Sequence, residues 1–510
     1  MIALIVISAG LAYFLSLPFA ALLQGANYRP KVFFQRAKNG RTLCSCYLVV
    51  TLIAALFVQL FCKGVLRAVL IGFCYVATGI FTYALHRKMR LPLTMTNRLA
   101  RLLILFVFLY AIVVFPLFFL SLNGLWSVLP ATAPFVLVVA DLICSPFERI
   151  NNDRYIRRAK NALDKSSAVK IGITGSYGKT SVKNDLEQLL SGSFRTLATP
   201  ANYNTPLGIA KTMASSDGKE DVLILEMGAR RKGDVRELCS LVSPTIGVIT
   251  GIAPQHLETF GSLENVIAEK NELAGAILPE NVVYYNLTDE RVRALYEDRI
   301  GKKIGIGFEM ADRLIENMNI EEGGTIFDLV KGEERLTLYA PLYGKAAITD
   351  LAIACAMSLD LGVPAEALCQ RVRGILPTSH RFEVKASGGV TIIDDSYNIN
   401  PIGAATALDS LSLFQAKRRI VYVSGIVELG ADTERENRKL GEKIAAICNS
   451  AIVAGGKYGD LVVQGILGAE PSFSVIRVAD TVEASAVFRQ LLREGDVLLI
   501  MSDLPRDYLV

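Results

Sequence analysis

Acidic residues are almost absent from the first 150 positions of this 510-residue chain, which hold only Asp141 and Glu148 of its 49 acids. The same positions hold 13 of the 54 Lys and Arg residues, so this part carries a net charge of +11 and the remainder −6. A surface that binds nucleic acid requires a basic stripe, which the acidic remainder does not supply. The charge pattern therefore argues against nucleic acid as a partner.

Cysteine patterns typical of metal sites are also missing. The nine cysteines include no Cys-x-x-Cys pair, and the closest two are Cys44 and Cys46. This spacing argues against a structural zinc site. The four cysteines beyond residue 150 are expected to be reduced and buried as small apolar side chains.

Apolar sequence dominates the first 150 residues in five stretches of about 20 residues, the length that crosses a bilayer. They are residues 2–23, 42–62, 64–85, 102–122 and 125–146. Basic residues follow the first, third and fifth stretches, and the positive-inside rule then places everything downstream in the cytoplasm. We therefore expect residues 1–146 to form an α-helical membrane region, which makes the chain a multi-pass protein of the plasma membrane.

The rest of the chain alternates between short apolar runs and amphipathic stretches. Residues 147–167 are polar and basic, and we expect a juxtamembrane helix or linker there. Strand–helix alternation from residue 168 predicts an α/β fold with a parallel sheet covered by helices on both faces. A break near Pro377 precedes a second alternating block, so we expect one domain at 168–376 and another at 377–510.

A glycine-rich segment at the start of the first α/β domain predicts a phosphate site. Residues 172–181 read Gly-Ile-Thr-Gly-Ser-Tyr-Gly-Lys-Thr-Ser, after a β-branched strand and before a helix. Backbone N–H groups in such a loop converge on phosphate oxygens, and the helix N-terminus favours the negative charge. We expect Lys179 to contact the β- and γ-phosphates of ATP and the Thr180 hydroxyl to bind Mg²⁺. The loop residues assigned to the nucleotide are Gly175, Ser176, Tyr177, Gly178, Lys179, Thr180 and Ser181.

Three further residues are candidates for chemistry near this loop. Glu226 ends a predicted strand, where α/β sheets bind ligands, and with Thr180 it forms an oxygen site suited to Mg²⁺. A helix cap or an ion pair with Arg230 is the alternative for Glu226. His256 lies on a loop and Lys270 on an amphipathic helix. A buried structural histidine and a solvated lysine are the alternatives for these two residues.

Several blocks of the second part resemble, in order, the Mur ligases and their folylpolyglutamate synthase relatives. The spacing of the glycine loop is one of them, and the others are residues 199–208, 225–230, 256–262, 269–270, 379–383 and 394–401. The last block, Asp-Asp-Ser-Tyr-Asn-Ile-Asn-Pro, is close to the signature of the branch that adds D-alanyl-D-alanine. The resemblance covers residues 168–510 and implies a central P-loop ATPase domain followed by a C-terminal Rossmann-like domain.

The resemblance also implies roles for individual residues. Lys179, His256 and Lys270 would be catalytic, with His256 helping to hold a second Mg²⁺ and Lys270 carbamylated as in several Mur ligases. The nucleotide would be contacted by residues beyond the loop, namely Asp350, Arg381 and Asp395. A surface ion pair is the alternative for the last two. The residues assigned to the substrates are Asn202, Asn204, Arg230, Tyr397, Asn398 and Asn400.

The sequence departs from the Mur family in three places. The predicted spans stand where these ligases have a domain that grips UDP. Residues 344–350 lack the usual His-Asn, with Asp350 as the nearest remnant, and residues 424–430 lack an Asp that is common there. The last departure affects the domain expected to bind the incoming amine.

Together these features predict an ATP-dependent ligase of cell-wall precursor synthesis. ATP with Mg²⁺ would convert a substrate carboxylate to an acyl-phosphate, to which an amino acid or D-alanyl-D-alanine is then joined. The acceptor is either UDP-linked or, as the missing UDP domain suggests, lipid-linked. A membrane protein that only senses nucleotide is a third hypothesis, which phosphate release independent of every acceptor would favour.

Overall fold

The computed structural model describes residues 2–26, 28–31, 33–34, 93–119, 129–201, 203–321, 323–397, 399–479 and 481–502, with isolated residues between 57 and 80. The chain divides into two compact units, residues 1–153 and 154–510. Apart from the isolated residues, the predicted spans at 42–62 and 64–85 lie outside the described residues, as do Asn202 and Asn398.

The described helices of the first unit are α1 (Ile2–Gly25), α2 (Asn97–Phe119) and α3 (Leu129–Lys165), the last of which continues beyond residue 153. Apolar side chains from all three helices pack in one cluster, which includes Phe19, Phe106 and Leu137. Two ion pairs accompany this cluster. They join Arg98 to Asp141 at 3.1 Å and Arg101 to Glu148 at 2.7 Å.

The predicted membrane region is wrong. No helix within the described part of the chain combines the length and apolar composition that crossing a bilayer requires. The prediction rested on the number of apolar residues alone, and this number does not show what the side chains contact. In the structure, α2 and α3 are joined by ion pairs of Arg98 with Asp141 and of Arg101 with Glu148. The expected multi-pass location in the plasma membrane rested on the same spans, so that prediction is also wrong. Residues 147–165, expected to be a juxtamembrane helix or linker, are helical and form the second half of α3.

A nine-stranded sheet forms the first half of the second unit, in the order β2-β3-β1-β4-β5-β6-β7-β8-β9. The strands are β1 Val169–Thr174, β2 Thr196–Ala198, β3 Val222–Glu226, β4 Ile246–Ile249, β5 Val283–Asn286, β6 Lys303–Gly307, β7 Arg313–Glu321, β8 Gly324–Lys331 and β9 Glu334–Ala340. The pairs from β2 to β7 are parallel, whereas β7, β8 and β9 pair antiparallel. The α/β character was predicted, but the antiparallel extension was not.

Helices cover both faces of this sheet. They are α4 Lys179–Leu190, α5 Pro206–Met213, α6 Asp234–Val242, α7 Leu257–Phe260, α8 Leu263–Ala276, α9 Glu290–Asp298, α10 Lys345–Asp360 and α11 Ala365–Arg373. One apolar core contains Leu186 of α4, Ile353 of α10 and Leu368 of α11. A second core contains Leu238 of α6 and Leu273 of α8. Two layers of helices therefore bury the strands, as parallel sheets require.

A six-stranded sheet forms the rest of the second unit, in the order β10-β11-β15-β12-β13-β14. Its strands are β10 Glu383–Ser387, β11 Val390–Asp394, β12 Arg418–Val423, β13 Ser450–Ala454, β14 Ser474–Val478 and β15 Asp496–Met501. Its helices are α12 Pro401–Ser412, α13 Thr433–Ile447, α14 Lys457–Ala469 and α15 Thr481–Leu491, with a 3₁₀ turn at Gly430–Asp432. Only β10 runs antiparallel to its neighbour.

Three neighbouring strands of the first sheet position the predicted site. Parallel pairing places Glu226 at the end of β3 opposite Ile173 of β1, and Ile249 of β4 opposite Thr174. The glycine loop, Glu226 and the segment after β4 therefore emerge at one edge of the sheet. The carboxyl edge of a parallel sheet is where α/β proteins bind their ligands.

Candidate functional site

The glycine loop between β1 and α4 has a backbone that only glycine adopts readily at two positions. Gly175 has φ +154° and Gly178 has φ +81°. A Cβ on Gly175 would lie 2.2 Å from the Thr250 hydroxyl oxygen, and one on Gly178 would lie 2.7 Å from a carboxylate oxygen of Asp350. Backbone conformation and close packing thus both require glycine.

Lys179 begins α4 and folds back over this loop. Its Nζ donates to the carbonyl oxygens of Gly175 at 2.7 Å and Ser176 at 3.4 Å. Burial lowers the pKa of Lys179 to about 8, and the carboxylates of Glu226 and Asp350 oppose the shift. The amine therefore lies over the loop in which the phosphates were expected to bind.

Two loop side chains anchor the loop to the protein. The Tyr177 hydroxyl donates to Asp289 at 2.8 Å, and the Ser176 hydroxyl donates to the carbonyl of Ala253 at 3.2 Å. Asp289 is 5% exposed and also accepts from the backbone N–H of Ile252 at 3.0 Å. Both side chains were assigned to the nucleotide, but their contacts in the structure hold the loop in place.

Glu226 and Thr180 are in direct contact. The Thr180 hydroxyl donates to one carboxylate oxygen of Glu226 at 3.0 Å, and the amide of Asn204 donates to the other at 3.1 Å. Glu226 is 2% and Thr180 6% exposed. A hydroxyl and a carboxylate are oxygen ligands that Mg²⁺ favours, so this donor set fits the metal that was expected here.

His256 has a different partner from the other two expected metal ligands. Its Nδ1 hydrogen-bonds to the carboxylate of Glu428, which follows β12 in the second sheet. The backbone N–H of Leu257 also donates to the Glu428 carbonyl at 3.0 Å. His256 and Glu428 both have positive φ, 55° and 61°, a strained conformation that clusters at functional sites. The contacts of His256 thus link the two halves of the site.

Lys270 lies on α8, is 3% exposed and is not the solvated lysine that the alternative required. Burial lowers its pKa to about 7, and the charge of Lys179 acts in the same direction. Its neighbour Glu269 accepts from the backbone N–H groups of Gly233 and Val235, both at 2.7 Å. Glu269 therefore caps α6, while Lys270 supplies a buried amine close to Lys179.

The residues expected to reach the nucleotide from the second domain lie around Arg381. Its guanidinium carbon lies 4.3 Å from the ring centre of Tyr397, and its buried Nε has no hydrogen-bond partner among the described residues. Burial raises the pKa of Asp395 to about 6 and that of Asp350 to about 8, and the charge of Arg381 opposes both shifts. Asp350 packs against Gly178 and bonds to Ser181, so it supports the glycine loop.

The remaining residues assigned to the substrates differ in their contacts and in their exposure to solvent. Asn204 contacts Glu226, and Arg230 is exposed just beyond β3. Asn400 is 2% exposed, and its side-chain oxygen accepts from the Gly403 N–H at 2.9 Å, which makes it the N-cap of α12. The structure thus gives Asn400 a capping role that the sequence analysis did not foresee.

Sequence reasoning missed two residues of this site, Lys183 and Glu428. Lys183 lies one helical turn after Lys179, and its Nζ is 3.7 Å from the Glu226 carboxylate. The i, i+4 spacing places both lysines on one face of α4, which was a usable signal. Glu428 reaches His256 across 172 positions of sequence, for which the local pattern gives no signal.

A cavity of about 610 Å³ adjoins the His256–Glu428 pair. Leu257 and Leu429, the next residues after each member of the pair, contribute to its wall. The charged residues that line it are Glu264, Arg291, Asp432, Arg435, Glu436 and Lys439. Its volume lies in the range of small-molecule sites, and its lining offers both signs of charge.

The fold and the site together define an α/β protein with a glycine-rich loop at the carboxyl edge of a parallel sheet, a buried hydroxyl–carboxylate pair beside that loop, and a second domain that contacts the first through His256 and Glu428. The model of the Mur ligase middle domain matches residues 173–358, and that of the Mur ligase glutamate ligase domain matches residues 380–504. This chain belongs to the Mur ligase family and is an ATP-dependent ligase.

Individual relatives agree with this placement. The UDP-N-acetylmuramoyl-tripeptide–D-alanyl-D-alanine ligase of Mycobacterium leprae is 30% identical over 366 residues, which are 65% of this chain and 70% of the relative. The Bacillus subtilis enzyme of the same name is 26% identical, over 67% of this chain and 74% of the relative. The crystal structure of the MurF ligase from Thermotoga maritima in complex with ADP matches with a TM-score of 0.62 at 24% identity, covering 69% of this chain and 80% of that one.

Proposed function

We propose that this ligase joins D-alanyl-D-alanine to a UDP-linked muramoyl-tripeptide, using ATP and Mg²⁺. The relatives that bear this activity in their names support the proposal, because the similarity extends through both α/β domains. The observation that carries the chemistry is the contact of Thr180 with Glu226 beside the glycine loop. The lipid-linked acceptor is not retained, because the names of these relatives specify a UDP-linked tripeptide.

The metal-binding residues in this proposal are Thr180 and Glu226, with Asn204 orienting the carboxylate. Bound there, Mg²⁺ would offset negative charge on the transferring phosphoryl group. His256 bonds to Glu428, so we assign it to closing the site between the two domains. A role of His256 in holding a second Mg²⁺ remains a prediction from the family resemblance.

The first step is attack by the tripeptide carboxylate on the γ-phosphorus of ATP. A new oxygen–phosphorus bond forms, the bond to the β-phosphate bridge oxygen breaks, and ADP leaves. The loop N–H groups and the Lys179 ammonium stabilise the charge on the phosphoryl oxygens. Arg381, with a free Nε in the described structure, lies near enough to influence the pKa of Lys179 and contributes positive charge from the second domain.

The second step is attack by the amine of the dipeptide on the acyl carbon. The carbon–nitrogen bond forms, the carbon–oxygen bond to phosphate breaks, and the proton lost by the amine is taken up by the departing phosphate. We place the dipeptide in the cavity beside His256 and Glu428. Arg291 and Glu264 line this cavity and offer partners for the carboxylate and the ammonium group of the zwitterionic dipeptide. Exclusion of water from the closed cleft protects the acyl-phosphate from hydrolysis.

Carbamylation of Lys270 is a further part of the proposal. A carbamate forms when a neutral amine reacts with CO₂, and burial holds the pKa of Lys270 near 7, so that much of this amine is neutral near neutral pH. Protein equilibrated with ¹³C-bicarbonate should show a carbamate carbon resonance by NMR that is absent from Lys270→Met. Identical spectra for the two proteins would remove the modification from the mechanism.

Phosphate release with defined substrates tests the function. We expect purified protein to release phosphate from ATP only when the UDP-linked tripeptide and D-alanyl-D-alanine are both present. L-alanyl-L-alanine serves as the matched control for the amine. Release that ignores every acceptor would support the nucleotide-sensing hypothesis instead.

A further inference from the structure

Lys183 on α4 is a buried lysine whose amine lies beside two backbone carbonyls and one carboxylate. It is 1% exposed, although lysine is rarely buried without compensation. Its Nζ donates to the carbonyl oxygens of Thr199 at 2.7 Å and Ala201 at 3.1 Å, and it lies 3.7 Å from Glu226. One amine therefore connects the helix of the glycine loop, the segment after β2 and the metal-site carboxylate.

The segment that Lys183 holds is itself attached to Glu226 at two points. The Thr199 hydroxyl oxygen accepts from the Glu226 backbone N–H at 3.0 Å, and Asn204 donates to the Glu226 carboxylate at 3.1 Å. The Gly228 N–H donates to the carbonyl of Asn204 at 2.9 Å, and a Cβ on Gly228 would lie 2.6 Å from the Asn204 side chain. The positions of Asn204 and Glu226 thus depend on each other.

We propose that Lys183 is a positioning residue, which holds the Glu226 carboxylate and the segment of Thr199 and Asn204 in the geometry that binds Mg²⁺ beside the glycine loop. This inference rests on the proposed function, in which Glu226 and Thr180 bind the metal. Lys183 acts through these groups, because its amine donates to two carbonyls and lies 3.7 Å from the Glu226 carboxylate.

Two effects of removing Lys183 oppose each other. Loss of a positive charge near the carboxylate would by itself strengthen binding of a cation. Loss of the links to Thr199 and Ala201 would free Asn204 and Glu226 to rotate, which weakens binding. We expect the second effect to dominate, because groups that orient a metal ligand change affinity by about 10–100-fold.

The test compares Lys183→Met with the matched control Lys303→Met. Lys303 also donates its amine to backbone carbonyls, those of Tyr296, Glu297 and Arg299 at 2.7, 3.2 and 3.3 Å, but these belong to α9 and the turn after it. Mn²⁺ binding is measured by calorimetry in the presence of β,γ-methylene ATP. We expect Lys183→Met to raise the Kd for Mn²⁺ by about 10-fold or more, and Lys303→Met to leave it within about twofold.

The outcomes separate this inference from the proposed function. Equal or tighter Mn²⁺ binding by Lys183→Met would overturn the positioning role. A parent protein that shows no nucleotide-dependent Mn²⁺ binding would overturn the metal site itself, and with it the proposed function. The concentration of Mg²⁺ that half-saturates phosphate release should rise in parallel with the Kd for Mn²⁺.

A double substitution keeps the test valid if Lys183→Met fails to fold. Either Lys183→Met or Glu226→Gln leaves one buried charge without its partner, which destabilises strongly, whereas removing both charges does not. We therefore expect the thermal midpoint of Lys183→Met/Glu226→Gln to lie above that of the less stable single variant. Strictly additive losses would show that the two side chains are not coupled and would contradict the inference.

Discussion

At the scale of single residues, the site depends on a few side chains whose chemistry is changed by burial. Lys179 and Lys270 are amines with pKa values lowered to about 8 and about 7. Glu226 is buried between Thr180, Asn204 and Lys183. Groups with perturbed pKa values that share one site are typical of catalytic centres.

Lys179 is expected to contribute charge to the phosphoryl-transfer step. Lys179→Met should lower kcat by about 10²–10³-fold, the usual loss when one donor to a developing oxyanion is removed. Lys211→Met, on α5, is the matched control and should leave kcat unchanged. Steady-state phosphate release measures both, and a kcat for Lys179→Met within twofold of the parent value would contradict the assigned role.

In protein freed of CO₂, so that no carbamate forms, the free amine of Lys270 should make the free energy of unfolding depend on pH. The folded protein releases this proton near pH 7, whereas the unfolded chain releases it near pH 10.4. Between these values the unfolded state binds more protons, so the free energy of unfolding rises with pH, by up to about 1.4 kcal/mol per pH unit. Urea unfolding at pH 7, 8 and 9 should show a rise that Lys270→Met reduces, and equal slopes for the two proteins would contradict the assignment.

Gly178 tests whether the loop needs glycine for its φ angle or for space. Gly178→Ala must accept a positive φ and a Cβ 2.7 Å from Asp350, whereas Gly218, with φ +74°, has no atom within 4 Å of the added Cβ. A residue other than glycine in the left-handed region costs about 1–2 kcal/mol. Urea unfolding should show this loss for Gly218→Ala and a larger one for Gly178→Ala. Equal losses would mean that contact with Asp350 is unimportant.

At the scale of elements, helix ends and strand ends place the functional groups. The N-terminus of α4 closes the glycine loop, and the ends of β1, β3 and β4 bring Thr174, Glu226 and Thr250 to one edge. The N-terminus of α12 is capped by Asn400, which the sequence assigned to substrate binding. The structure shows the capping contact of Asn400, whereas its role in substrate binding stays a prediction.

Substitution of Asn400 separates these two roles. Asn400→Ala should lower the free energy of unfolding by about 1 kcal/mol, because α12 loses its cap, and Asn400→Ser should restore most of it. If the role is only structural, Asn400→Ser should also keep the parent KM for D-alanyl-D-alanine. A raised KM in Asn400→Ser with parental stability would show direct contact with the substrate.

The sequence predicted elements where the signal is local. The glycine loop, the strand that ends at Glu226 and the helix that carries Lys270 could all be recognised within windows of about ten residues. Glu428 could not, because its partner His256 comes from a distant segment, whereas Lys183 had a local signal in its i, i+4 spacing from Lys179. The membrane spans were predicted wrongly, because apolar length alone does not reveal the ion pairs of Arg98 and Arg101.

At the scale of the whole molecule, the two α/β domains of the second unit contact each other beside the site. The direct contacts include His256 with Glu428, Asn184 with Thr378, and the ring of Tyr343 with that of Phe414 at 5.3 Å. Closure of this kind completes a catalytic site and excludes water.

Loosening the closed state should uncouple the reaction. Glu428→Gln weakens the bond to His256, so more acyl-phosphate should be lost to water, and the ratio of phosphate released to ligated peptide formed should rise above one. Glu434→Gln, an exposed change on α13, is the control and should keep the ratio at one. Both products are measured by chromatography. A ratio of one for Glu428→Gln would show that the His256–Glu428 contact does not keep the site closed.

The fate of the acceptor's carboxylate oxygen tests the central claim most directly. The tripeptide acceptor, labelled with ¹⁸O in its terminal carboxylate, is turned over with ATP and D-alanyl-D-alanine, and the released phosphate is examined by mass spectrometry. Transfer of the γ-phosphoryl group to that carboxylate predicts one ¹⁸O atom in each phosphate from fully labelled acceptor. Phosphate without ¹⁸O, released together with ligated product, would contradict an acyl-phosphate pathway.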